Sequence, residues 1–348
     1  MTRNAVTVIA ATLVAGALFF ASPPPIAQAS LARTLVLGSG DGGAVVDTGS
    51  WYYDDDTNTF YNPAFLAGTP TRAIIEKSNV LSNGRAEGGL ASGLIGSFSG
   101  QAYFNRGTAM QDAGGFSLRP HMRPLDLGVA GTFGDDLHIG TALTYGSVTT
   151  ASIVDEQATL RVGMNWLGVQ PFVAWSFVSR ESAGSDTKIL NYQIGLRYKF
   201  GEWLPHAGFR RTYEFKGFGA GLGRTIQVGE AVQLLVCTGL WRGDRSGVGK
   251  RLIFPVQVGF ESPVADWLTL RAGISYRLAD VTSDSPTLGP RASGSDSTSG
   301  RLGASLLVKK LQFDFAVGSL AAGSGTLDGE TFDFANGLFT LASLSYRL

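Results

Sequence analysis

Leu268-Thr269-Leu270-Arg271-Ala272-Gly273-Ile274-Ser275-Tyr276-Arg277-Leu278 alternates residue by residue between apolar side chains and polar ones or glycine. A period of two places alternate side chains on opposite faces of an extended strand, so the two faces meet different surroundings. Leu268, Leu270, Ala272, Ile274, Tyr276 and Leu278 make one face. Thr269, Arg271, Gly273, Ser275 and Arg277 make the other, which is too charged for a dry core.

The same alternation recurs along the chain. Leu125, Leu127, Val129 and Phe133 are interleaved with Asp126, Gly128, Ala130 and Thr132. Ala158, Leu160, Val162, Met164 and Trp166 oppose Gln157, Thr159, Arg161, Gly163 and Asn165. Residues 192–200, 209–215, 252–260, 302–308 and 311–317 repeat it. Such segments are too short and too polar for a membrane helix, but each is the length of a transmembrane strand. The fold they predict is all-β, a transmembrane antiparallel β-barrel. About 14–16 strands are expected, depending on whether 71–106 supplies one strand or three.

The connections support this reading. Short ones are expected at Gly134-Asp135-Asp136, Leu167-Gly168, Gly201-Glu202, Gly229-Glu230, 262–266 and Lys309-Lys310. Longer polar ones are expected at 107–124, 180–186, 242–250, 281–300 and 321–333. Short periplasmic turns and long external loops are the topology of an outer-membrane barrel. Trp166, Trp203 and Trp267 flank short turns, as interfacial aromatics do.

The chain begins as an exported protein does. Arg3 precedes an apolar run over 5–21, three prolines follow at 23–25, and Ala27-Gln28-Ala29 offers a cleavage site before Ser30. The expected division is a signal peptide over 1–29, an N-terminal segment over 30–69 and a barrel over 70–348. Localisation in a Gram-negative outer membrane follows, with membrane lipid as the first partner.

Composition bounds function. Removing Arg3 from 28 basic residues leaves 27 against 28 acidic ones, which gives nucleic acid no electrostatic purchase. The single Cys237 cannot form an intramolecular disulfide and reads as a small packing residue. The three histidines, His121, His138 and His206, have no metal-ligand spacing and no accompanying nucleophile, so no enzyme is expected. Gly38-Ser39-Gly40-Asp41-Gly42-Gly43 lacks the Lys-Ser/Thr of a phosphate loop and reads as linker. No cofactor is implied.

One motif stands before the first strand: Asp54-Asp55-Asp56-Thr57-Asn58-Thr59-Phe60-Tyr61-Asn62-Pro63-Ala64-Phe65-Leu66-Ala67. It resembles the corresponding segment of the FadL-like outer-membrane barrels, which import long-chain fatty acids and other hydrophobic compounds. The resemblance implies that Asn62, Pro63 and Ala64 lie in an N-terminal hatch plugging a 14-stranded barrel, and that a hydrophobic small molecule is the cargo. Read as residues alone, Asn62 can cap and Pro63 can start a short helix. The three aspartates read as a solvated acidic turn, because they lack the alternate-position ligands of a calcium loop.

The polar faces carry a set of charges predicted to line the lumen: Asp126, Arg161, Arg197, Lys199, Arg210, Glu214, Arg271, Arg277, Arg301 and Asp314. Such groups either select solutes or pair to hold a plug. Three functions stay open at this level: import of a hydrophobic molecule, a general diffusion porin, or a structural or secretion-associated barrel. Arg at Gly273 is expected to be mild if the lumen is roomy there.

Overall fold

The computed structural model describes residues 31–38, 50–78, 86–93, 96–104, 124–149, 154–181, 191–211, 215–229, 231–245, 249–283, 292–294, 297–319 and 338–348. After the N-terminal segment come β1 (Arg72–Ser78), β2 (Ala86–Gly93), β3 (Phe98–Phe104), β4 (Leu125–Phe133), β5 (Leu137–Thr149) and β6 (Val154–Trp166). β7 (Val169–Glu181), β8 (Asn191–Tyr198), β9 (Trp203–Arg211), β10 (Phe215–Val228), β11 (Val232–Arg245) and β12 (Gly249–Ala265) follow. The chain ends with β13 (Leu268–Ser283), β14 (Ala292–Gly294), β15 (Ser297–Val308), β16 (Leu311–Ser319) and β17 (Leu338–Arg347).

Neighbours in sequence pair antiparallel around the whole sheet, and β17 returns to pair with β1 from Arg72↔Arg347 to Ser78↔Leu341. Closure leaves no sheet edge, which a strand protein in lipid requires because the bilayer core offers backbone groups no partner. β14 and β15 pair with β13 in one continuous register, Asp280↔Gly294 leading to Arg277↔Ser297, so they count as one strand of a 16-strand barrel. Residues 71–106 therefore contribute three strands, and the count is two above the 14 implied by the family resemblance.

The two faces differ as alternation demands. Leu270 and Ile274 are 38% and 42% exposed on the outside, whereas Arg271 between them is 3% exposed. Leu127, Ile194, Leu196, Phe254, Leu302 and Phe315 join the exposed apolar belt, and Trp166, Trp203 and Trp267 edge it at the short-turn end. So much apolar surface turned outward suits lipid. Among the described residues no helix is long and apolar enough to cross a membrane.

Several boundaries move. The expected turn over 262–266 is mostly strand: Pro263 pairs with Thr269, the register shifts between Pro263 and Ala265, and the turn contracts to Asp266-Trp267. A bulge lets proline sit in a strand, so Pro263 signals irregularity and not a turn. The expected loops over 180–186, 242–250 and 281–300 are shortened because β7, β11 and β13 run on into them. Beyond the apolar belt both faces are wet, so the alternation that marks a strand fades before the strand ends. Ala158, expected on the outer face, is buried; β6 keeps an unbroken register with β5 there, and the β6–β7 shift places its extra residue, Phe177, in β7.

The turn Leu167-Gly168 joins β6 to β7 with φ of 49° at Leu167 and 84° at Gly168. Left-handed conformations at both positions match the twist of a two-residue hairpin.

The interior is occupied. Helix α1 (Leu31–Leu37) packs against β12, β13, β15, β16 and β17. A 3-10 helix, Pro63–Gly68, packs against β3, β4, β5 and β6 on the other side.

Candidate functional site: the occupied lumen

The N-terminal segment is shaped by its own polar residues. Asp55 caps the 3-10 turn Asp56–Phe60, its carboxylate accepting from Thr57 N at 2.8 Å and Thr57 Oγ1 at 2.6 Å. Asn58, fully buried, accepts from Ser50 N at 2.6 Å and donates to Tyr53 O at 3.3 Å. Asn62 caps Pro63–Gly68 by accepting from Ala64 N at 3.1 Å. Its Nδ2 also donates to Met164 O of β6 at 3.1 Å, so one side chain shapes the segment and ties it to the wall. Pro63 opens that 3-10 helix, where its missing N–H is no loss. Asn62, Pro63 and Ala64 thus stand at the contact between segment and barrel.

The wall meets the segment with glycines. A Cβ at Gly140 would collide with the Pro63 carbonyl, at Gly163 with Asn62 Oδ1, and at Gly195 with the Phe172 and Trp51 rings. At Gly223 it would strike Tyr52, and at Gly273 the Val36 carbonyl oxygen. These five glycines lie on β5, β6, β8, β10 and β13, so the fit runs round the barrel. The lumen at Gly273 is therefore not roomy, and the condition for a mild Arg substitution is not met.

Ion pairs and charged hydrogen bonds fix the segment at four places on the wall. Arg33 of α1 donates from Nε to Glu261 Oε2 at 2.8 Å and from Nη1 to Asp55 Oδ2 at 3.1 Å. Glu261 also accepts from Arg271, which lies 3.7 Å from Asp314. On the opposite wall Arg161 joins the Asp126 carboxylate to the Phe60 carbonyl. Arg197 donates to Ser50 O at 3.0 Å and Tyr53 O at 2.8 Å, and pairs with Asp54 together with Lys199. Arg301 donates to Leu35 O at 3.0 Å. The run is not wholly a solvated turn: the Asp55 carboxylate is buried on Arg33, while Asp54 keeps substantial exposure.

Between these anchors lies an aromatic cluster. Trp51 stacks on Tyr61 with ring centroids 5.7 Å apart, and contacts Phe172, His206 and Trp241 at 5.5, 5.5 and 6.1 Å. Arg197 lies over the Phe65 ring at 5.0 Å. Cys237 packs with Tyr52, Tyr53 and Leu235.

Burial alone would raise the Asp54 carboxyl, but Arg197 and Lys199 outweigh it and hold it below the ordinary carboxylate value. Burial also tends to deprotonate Arg33, yet Glu261 and Asp55 keep it firmly charged. Burial raises the phenols of Tyr52, Tyr53 and Tyr61.

Of the charges singled out in the sequence, Asp126, Arg161, Arg197, Arg210, Arg271 and Asp314 are buried on the inner side. Lys199 and Arg301 contact the segment. Glu214 and the Arg277 side chain lie outside the described residues, as do His121 and the linker from Ser39. Arg33 and Glu261 were missed, because neither stands in a marked alternating run. The glycines were read only as small; their repeated inward placement was the available signal of a closely fitted interior.

No protein-family model matches the chain, and no curated protein matches it. Solved structures are similar to it. A bacterial polysaccharide outer membrane secretin aligns with a TM-score of 0.50 at 9% identity, over 80% of this chain and 98% of that one. The CymD monoaromatic hydrocarbon channel aligns at 0.43 and 11% identity, over 91% and 97%. An outer membrane channel from Pseudomonas putida F1 aligns at 0.38 and 11% identity, over 86% and 99%. The first of these likenesses speaks for the outer-membrane barrel fold, and for nothing finer.

Proposed function

We propose that the protein passes a hydrophobic small molecule across the outer membrane, with residues 30–69 acting as a hatch. The observation that carries this is the seating of α1 and of 50–69 against the inner wall through Arg33, Arg161, Arg197 and Arg301. A general porin needs an open aqueous path, and here Arg161, Arg197 and Arg301 are engaged by the segment and not turned to solute. Trp51, Tyr61, Phe65, Phe172 and Trp241 pack between segment and wall, and a shift of the hatch would uncover rings that suit an apolar cargo better than a sugar or an ion. Passage requires the hatch to shift, and polar anchors, which water can replace, permit that.

A second reading is favoured by the glycine seating, which is tight enough for a permanently closed structural barrel. Uptake separates the two. Cells expressing the protein in place of their own porins and fatty-acid channels should accumulate a fluorescent long-chain fatty acid but not a disaccharide. Uptake of the disaccharide at porin rates supports the porin, and uptake of neither supports the structural barrel.

A further inference from the structure

The loop-side ends of β9–β12 carry cations on the outer wall. Lys216 lies two residues before Phe218, Arg242 two after Leu240 and Lys250 two before Leu252, all three neighbours being exposed on the outside. Arg211, Lys216, Arg242 and Lys250 are themselves exposed. In register, Arg211 stands opposite Lys216, Lys216 opposite Asp244, and Asp244 opposite Lys250. The row beneath runs Phe209, Phe218, Arg242, Leu252.

Two features make this more than a wet rim. Arg211 and Lys216 are like charges directly across a strand pair, an arrangement that is repulsive by itself. On β9–β12 Asp244 is the one carboxylate within the two rows, with Asp280 of β13 standing next along opposite Leu252, and none of the four cations is bonded to a carboxylate among the described residues. At the other end of the same strands the chain supplies its own counter-charge: Arg224 pairs with Glu202 at 3.2 Å and lies over Trp203 at 4.7 Å.

We propose that this rim binds a bisphosphorylated glycolipid of the outer leaflet. Its phosphates meet Arg211, Lys216, Arg242 and Lys250, and its acyl chains lie along Phe218, Leu240, Leu252 and Phe254. The charge is complementary, and the apolar wall directly beneath the cations demands an amphiphile and not a free anion. From β9 to β12 the cations span three strand spacings, about 14 Å, which suits two separated phosphates better than one. The loop-side end is the outer-leaflet end in a barrel of this topology.

The test uses the full barrel refolded without lipid in a nonionic detergent and titrated with diphosphorylated lipid A, bound lipid being read by native mass spectrometry. Wild type should retain the lipid. The double variant R211Q/K216Q should bind roughly 25-fold more weakly, from about fivefold per cation near an anionic headgroup layer. Lipid A stripped of phosphate should bind wild type poorly, and Lys310→Gln at the opposite end should change nothing. Heat-modifiability of each variant reports that the barrel has folded, and Arg242→Gln serves if the double variant fails to fold. Undiminished binding by a folded rim variant, equal retention of phosphatidylglycerol, or displacement of the lipid by millimolar inorganic phosphate overturns the proposal.

Discussion

Gly273 lies on the inner face of β13 with the Val36 carbonyl where its side chain would be. Gly273→Val should therefore push α1 off the wall while leaving the outer face untouched. Expected are faster proteolysis of the N-terminal segment and preserved heat-modifiability; an equally protected segment contradicts the seating. One position away the outcome inverts. Ile274→Arg puts a charge into the lipid belt and should destabilise the barrel by about 2–4 kcal/mol near the midplane, read as a lowered unfolding midpoint in urea. Asp54 gives a pH signature. Its folded-state value is depressed by Arg197 and Lys199, so its contribution is complete above the ordinary carboxylate value of about 4 and fades as pH falls through the lower folded value. Protease sensitivity of 50–69 should rise on acidification below about pH 4, and Asp54→Asn should flatten that rise while loosening the segment at neutral pH. At this scale the sequence was half legible. Charges such as Arg161 and Asp126 announce themselves inside an alternating strand, but nothing local tells Arg33 that Glu261, 228 positions further along the chain, lies beside it.

Among elements, β17 has the clearest consequence, because it pairs with β16 on one side and β1 on the other. Deleting 344–348 removes partners of Arg72, Ala73, Ile74 and Ile75 and leaves two unsatisfied edges in lipid. The truncated chain should accumulate unfolded in the periplasm; normal insertion would show that closure does not depend on this strand. Strand positions were readable wherever one face met lipid and the other water, as in β13 and β8. They were misread where that contrast ends, past the belt in β11 and β13, and at the bulge by Pro263. A period of two reports the solvent on each face and not the hydrogen-bond ladder itself.

For the whole molecule, barrel and N-terminal segment are complementary surfaces: glycines where backbone approaches, arginines where carboxylates and carbonyls arrive, aromatic rings between. The motif 54–67 signalled a segment with its own structure; Asp54 meets the inward Arg197, whereas Asp55 meets Arg33 of the segment's own helix. Which arginine meets which acid is set by barrel circumference and register, which one segment of sequence does not contain. The central claim, that the chain closes its own lumen, is tested most directly by single-channel conductance in a planar bilayer. Wild type should conduct little, and deletion of 31–69 should open a wide, steady pore without preventing insertion. A wild-type protein that already conducts as a wide pore, unchanged by the deletion, would contradict it.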